Sequence, residues 1–203
     1  MRQIILASGS PRRKEVLELM GLTFTVVPSD FDEWLDDALD TRDVAIALGL
    51  GKARTVAVQY PEAIVIGSDT IVTVDGKQLG KAADDNEARA MLRLLSEHPS
   101  TVTTSVVVIC IATGYEYADA DTADVVFKPY DETGVEKYIA TQDYRDKAGA
   151  YGIQTGAAPL IDHIAGAVTT IIGLPAPIVA TQLEKFGIVT KPVDYPTPGL
   201  VVQ

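Results

Sequence analysis

The chain is predicted to be a mixed α/β protein, and three observations carry that expectation. Continuous apolar runs at 4–7, 63–66 and 71–74 have the length and β-branched content of buried strands. Segment 84–96 places Ala88, Met91, Leu92 and Leu95 at the i, i+3, i+4 and i+7 spacing of one helix face. Two longer stretches, 101–112 and 115–127, read as strands on either side of a Thr113-Gly114 turn. Helix and strand signals mix along the whole length, which favours one sheet with flanking helices over separate all-α and all-β units. With 203 residues, 47% of them apolar and 22% charged, the chain has ample material for a core. A single domain over 1–203 with two lobes is expected.

In chain order, the run at 4–7 is a strand. Ser10 then stands at an N-cap position with Pro11 first in a helix that should run to Met20 and stop at Gly21. Residues 23–27 have strand character and lead into the acidic segment 30–40, after which Thr41 is expected to cap a helix to about Val58. Gly67-Ser68-Asp69-Thr70 separates two β-rich stretches, and Asp75-Gly76 turns the chain, the pattern of an interrupted central strand entering a hairpin. The 84–96 helix and the two long strands follow, then a helix from Asp131 to about Ala140. Gly149, Gly152 and Gly156 punctuate a loop, an apolar run covers 168–172, and a last helix follows Pro175. The tail from about 190, carrying three prolines after Lys191, is expected to be loosely held.

A net charge of −11 opposes the non-specific phosphate attraction that nucleic-acid binders use, so no nucleic-acid polymer is expected as a partner. A small anion remains open, because a few cations converging on one cleft set the local potential. The one cysteine, Cys110, has no disulfide partner and lies in an apolar run, as a buried inert thiol would. No apolar stretch reaches the ~18 residues of a membrane span, and the first apolar run is too short for a signal peptide. A cytoplasmic protein without membrane attachment is expected.

Three groups of residues could carry chemistry. Ala7-Ser8-Gly9-Ser10-Pro11-Arg12-Arg13 joins a strand to a helix N-terminus, where free N–H groups favour anions. Arginines in that first turn oppose the helix dipole, so they fit either an anion gripped between Arg12, Arg13 and the loop, or a capped helix with a solvated basic face. Asp69 interrupts apolar strand text, where a charge is costly unless paired or liganded. It could serve as metal ligand, general base or structural cap. Glu33, Lys52, Lys81 and the run 146–154, with Lys147 and Gln154, are individually weak signals, and Lys52 on a helix is by default a surface lysine. His98 and His163 lack metal-ligand spacing and read as structural or surface residues.

In order and spacing these blocks resemble the Maf family of nucleoside triphosphate pyrophosphatases. The resemblance rests on Leu6 to Arg13, Gly67-Ser68-Asp69-Thr70-Ile71-Val72 and Asp146 to Gln154, with further matches at Glu33, Lys52, Gly80-Lys81 and Gly173-Leu174-Pro175. It reaches to about Leu183. The resemblance implies a two-lobed fold around a central twisted mixed sheet, related to the inosine triphosphate pyrophosphatases, with a nucleotide cleft between the lobes. It implies Asp69 as proton acceptor, Arg12, Thr70 and Gln154 in base selectivity, and Ser8, Arg13, Lys52, Lys81 and Lys147 in substrate binding. It further implies a divalent cation, Mg²⁺ or Mn²⁺, on Glu33 and Asp69, and by analogy a homodimer. Ser-Pro-Arg-Arg with Tyr-Gly-Ile-Gln is similar to the dTTP/UTP type. The alternatives are a 7-methyl-GTP or other purine type, and a nucleotide-binding regulator of cell division without catalysis. Ala82, Thr155 and residues 97–100 depart from the usual family text, which concerns loop geometry.

Overall fold

The structure, a computed structural model, describes residues 2–197 and 199–203. Its elements run β1 (Ile4–Leu6), α1 (Pro11–Leu19), β2 (Thr25–Val26), α2 (Thr41–Ala57), β3 (Ile64–Gly67), β4 (Thr70–Val74), β5 (Lys77–Leu79), α3 (Asp85–Glu97), β6 (Ser100–Cys110), β7 (Tyr115–Phe127), α4 (Glu132–Ala140), β8 (Ile161–Ala165), α5 (Val168–Ile172), α6 (Ala176–Glu184) and β9 (Val201–Val202). Among the described residues nine strands form one mixed sheet in the order β2-β1-β3-β6-β7-β8-β9, with β4 also on β6 and β5 on β4. β1 runs parallel to β2 and β3, β8 parallel to β9, and the other pairs are antiparallel. The expected mixed α/β class with a central mixed sheet and flanking helices is therefore what the chain forms.

The continuous apolar text of the first strands follows from burial on both faces. Ile5 and Val65 face a cluster with Ala53, Val56 and Ala57 of α2, while Ile4, Leu6, Ile64 and Ile66 join the larger cluster with α1, α3, α4 and α6. Alternate residues of one strand thus anchor different helices, each fully buried aliphatic side chain contributing about 1.5–3 kcal/mol. In α3, Ala88, Leu92 and Leu95 are buried, with Met91 partly so.

The interrupted strand keeps its register. β3 pairs with β6 through Gly67↔Val107 and β4 resumes at Thr70↔Thr104, so Ser68 and Asp69 fill the gap without a slip. Ser105 opposite them holds the gap closed: its backbone N–H donates to the Asp69 carbonyl at 2.9 Å, and its hydroxyl accepts from the Asp69 N–H at 2.9 Å. A carboxylate thereby sits in mid-sheet with its backbone satisfied.

Several expectations need correction. The cap of α2 is Asp40, whose carboxylate accepts the Arg42 N–H at 2.8 Å; Thr41 is the first helical residue, and its hydroxyl lies 3.2 Å from that of Thr73. Aspartate before threonine wins because its carboxylate also meets the positive helix end. Ser10 occupies the N-cap position of α1 without a side-chain cap bond, and the Ser8 hydroxyl takes the Ser10 N–H instead. β6 stops at Cys110 because Ile111–Thr113 winds a 3₁₀ turn. β2 holds two residues where five have strand character. β8, β9 and the helical state of 168–172 were not legible, since Asp162 and His163 dilute the strand signal that pairing with β7 confers.

The tail contacts the rest of the chain at several points. The Lys191 N–H bonds the Met20 carbonyl at 2.9 Å, Tyr195 is buried, and Val201 and Val202 pair with His163 and Ile164. Among the described residues no helix is long and apolar enough to cross a membrane. Cys110 is buried and free.

Candidate active site

Ser8, Arg12, Arg13, Glu33, Lys52, Asp69, Thr70, Lys81, Lys147 and Gln154 all line one cleft of about 850 Å³, within the usual range for small-ligand sites. Six separate parts of the fold bring them together. The β1–α1 loop and first turn of α1 supply Ser8, Arg12 and Arg13, the acidic segment supplies Glu33, and α2 supplies Lys52. The sheet interruption supplies Asp69 and Thr70, and Lys81, just past β5, bridges Ala148 of the glycine-rich loop that carries Lys147 and Gln154.

Lys52 is not a surface lysine. It is only 7% exposed, as is Asp69, and its ammonium donates to Asp69 Oδ1 and, at 2.7 Å, to Glu33 Oε1. Lys81 donates to the other oxygen of Glu33 at 3.1 Å. Partial burial pushes the Glu33 carboxyl up, but hydrogen bonds and charge from Lys52 and Lys81 outweigh it and hold the group at about 2. Gly67 permits the close approach of α2: a Cβ there would stand 2.7 Å from the Gly49 carbonyl oxygen and 2.8 Å from Ala53 Cβ.

Arg13 closes the opposite wall. It donates through Nε to the Gly173 carbonyl at 2.8 Å, through Nη1 to Ser8 Oγ at 3.0 Å, and through Nη2 to Thr70 Oγ1 at 3.2 Å. Ser68 donates to the same Gly173 carbonyl at 2.9 Å, so one backbone oxygen ties α1 to the interrupted strand. Gly173 has φ of +111°, a conformation open to glycine and strained for other residues. Burial lowers the affinity of Arg13 for its proton and the nearby Asp69 charge opposes this; guanidinium stays charged regardless. Two of its five N–H donors remain for a ligand.

At the other end, Lys147 lines the cleft but gives its ammonium to Asp143, bonding Oδ1 at 3.0 Å and also the backbone carbonyl. Thr155, one of the departures from family text, donates its hydroxyl to the same Asp143 carboxylate and so pins the loop. Arg12 makes no side-chain hydrogen bond among the described residues, and its guanidinium borders the cleft. Gln154 donates to Glu15 Oε2 at 3.0 Å and to the Tyr195 hydroxyl. Sequence reasoning missed Ser105, Glu15, Tyr195 and Trp34, the last a cleft-lining aromatic. Ser105 becomes visible only when the strand register is known, and Tyr195 lies in a proline-bearing tail with no periodic signal.

The donor set also bears on a divalent cation. Glu33 and Asp69 direct one oxygen each at the single point where the Lys52 ammonium sits, so the two carboxylates share one cationic position. Among the described residues no group of three or more His, Cys, Asp or Glu forms a self-sufficient metal cage. One or two carboxylates completed by substrate phosphates is the usual arrangement for Mg²⁺, and Glu33 with Asp69 would fit it with the ion in the place of the Lys52 ammonium.

Comparison with known proteins accords with this geometry. Residues 3–186 match the family described as Maf-like protein. A protein of Bacillus cytotoxicus named dTTP/UTP pyrophosphatase is 42% identical over 189 residues, covering 92% of this chain and 96% of its own. Proteins of the same name from Pelotomaculum thermopropionicum and Bacillus cereus are each 40% identical, covering 92% and 93% of this chain and 98% and 97% of their own. The family pattern spans most of the chain and takes in every expected cleft residue from Ser8 to Gln154, so the protein belongs to the Maf family.

Proposed function

We propose that this protein is a nucleoside triphosphate pyrophosphatase that hydrolyses dTTP and UTP to the monophosphate and pyrophosphate, the activity for which its relatives are named. The observation that carries the reading is a buried carboxylate, Asp69, on the floor of a cleft whose walls hold Arg12, Arg13, Lys52 and Lys81. A carboxylate amid converging cations suits a reaction in which a polyanion must be held and a water deprotonated beside it.

Cleavage between the α and β phosphates requires a water in line with the breaking bond, an acceptor for its proton, and cations for the charge on the leaving pyrophosphate. Lys52 engages Asp69 Oδ1, which leaves Oδ2 to accept the proton of the attacking water. The two uncommitted N–H donors of Arg13, the Ser8 hydroxyl and the Lys81 ammonium bind phosphoryl oxygens. Glu33 and Asp69 would hold a divalent ion in the position that the Lys52 ammonium occupies, and there it would supply further neutralisation and a more acidic water. Lys52 keeps the two carboxylates together and adds charge where the triphosphate lies. Arg12 and Gln154 meet the base, and Thr70, held by Arg13, lines the same cleft. We place this activity in the cytoplasm, where nucleoside triphosphates are kept.

The test is pyrophosphate release from dTTP, UTP, CTP, GTP, ATP and 7-methyl-GTP, with and without Mg²⁺ or Mn²⁺. Metal-dependent turnover of dTTP and UTP is expected to fall by roughly 10²–10⁴-fold in Asp69→Asn, the usual contribution of a positioned base. Binding of nucleotide without turnover by the wild type would leave only the regulator reading.

A further inference from the structure

We infer that Tyr195, in the C-terminal segment beyond the Maf-family match at residue 186, is a positioning residue that together with Glu15 fixes Gln154 as a hydrogen-bond acceptor toward the base. The inference rests on the proposed pyrophosphatase reading and concerns how the same site selects its substrate.

The chemistry of the three groups determines the orientation. A carboxylate can only accept, so the side of the Gln154 amide that meets Glu15 Oε2 at 3.0 Å must be its NH₂. The Tyr195 hydroxyl lies on the same side, accepts from the Gln154 amide and itself donates to Glu15. The Gln154 NH₂ is thereby held at Glu15 and Tyr195, and its carbonyl oxygen, turned from Glu15 by the planar amide, has only acceptor capacity to offer. Glu15 reaches this position because it lies three residues after Arg12, on the same face of α1. Tyr195 reaches it because the tail is held down, through Lys191 at Met20 and through the buried ring itself.

An acceptor beside a donor-only guanidinium is a pattern with a complement. Uracil and thymine present an N3–H flanked by carbonyl oxygens, so Gln154 accepts from N3–H while Arg12 donates to a flanking carbonyl. Cytosine presents an unprotonated N3 at the same place and would set acceptor against acceptor, which discriminates by repulsion as well as attraction. An untethered amide can rotate and offer its NH₂ to cytosine; Tyr195 and Glu15 prevent that rotation.

The experiment compares wild type, Tyr195→Phe and Glu15→Gln by kcat and KM for UTP and CTP, with thermal melting as a folding control. The expected result is a loss of the UTP-over-CTP ratio in kcat/KM of about tenfold in Tyr195→Phe, the value of one hydrogen bond, and more in Glu15→Gln. The change should lie in KM, with kcat for UTP altered by less than about threefold. A loss of packing alone would lower both nucleotides together. An unchanged ratio in both folded variants overturns the inference. If the wild type hydrolyses neither nucleotide, the pyrophosphatase reading fails separately. UTP and CTP dissociation constants, read from the fluorescence of Trp34, the single tryptophan and a cleft residue, then decide the inference by the same ratio.

Discussion

Lys52 and Asp69 neutralise each other out of water, with side chains 8% and 10% exposed, so removing Lys52 leaves Asp69 as an uncompensated charge. Lys52→Met should therefore destabilise the fold by about 3 kcal/mol. The double variant Lys52→Met with Asp69→Asn should recover part of that loss, since no charge then remains unpaired. Denaturant unfolding of the four proteins in the cycle measures the coupling; additive effects would mean that the two side chains do not depend on each other. Arg13 differs in kind, because its three bonds go to neutral oxygens of Gly173, Ser8 and Thr70, which positions the guanidinium without cancelling its charge. That surplus charge is what a phosphate can use.

At the scale of elements, the site depends on α2 lying directly on the sheet interruption. Gly67 ends β3 under this helix, where any Cβ would collide with the Gly49 carbonyl oxygen and with Ala53. Backbone cannot yield as a flexible side chain does. Gly67→Ala should cost about 1–3 kcal/mol through overpacking and should lower turnover beyond what the stability loss explains, because a displaced α2 carries Lys52 away from Asp69. Melting temperature and kcat measured on the same preparation test this; full activity in a destabilised variant would show that the helix position is not critical. The close contact also explains why the strand can be interrupted at all, since α2 shields the two residues of the gap.

Over the whole molecule, the charge of −11 is unfavourable to a polyanionic substrate, and the cleft overcomes it locally through Arg12 and Arg13, which no carboxylate pairs among the described residues, whereas Lys52 and Lys81 are paired with Asp69 and Glu33. The folded state holds the Glu33 carboxyl at about 2, below its ordinary 4.5. A depressed carboxyl contributes stability that is fully present above about 4.5 and is lost as pH falls toward 2. The melting-temperature difference between wild type and Glu33→Gln should thus be constant near neutrality and shrink through that acid window. A difference independent of pH would mean that the Glu33 contacts are not electrostatic. Half of this side chain is exposed, so solvent screens the effect and added salt should reduce it.

The sequence by itself determined the strands buried on both faces, the amphipathic α3 and the turn chemistry, because period and apolar content are local properties. It also pointed to Asp69, since a charge inside apolar strand text is anomalous wherever the strand lies, and family resemblance named the other cleft residues that the structure gathers. What only the tertiary structure decided is who partners whom. Lys52 is indistinguishable from a solvated helix lysine until α2 packs on β3 and buries it against Asp69. Ser105 supports the interrupted strand only through the β4–β6 register, β8 becomes a strand by pairing with β7, and Tyr195 meets Gln154 across 41 residues of chain. Burial and hydrogen-bond partnership between distant residues follow from chain geometry, and no local window of sequence contains that geometry.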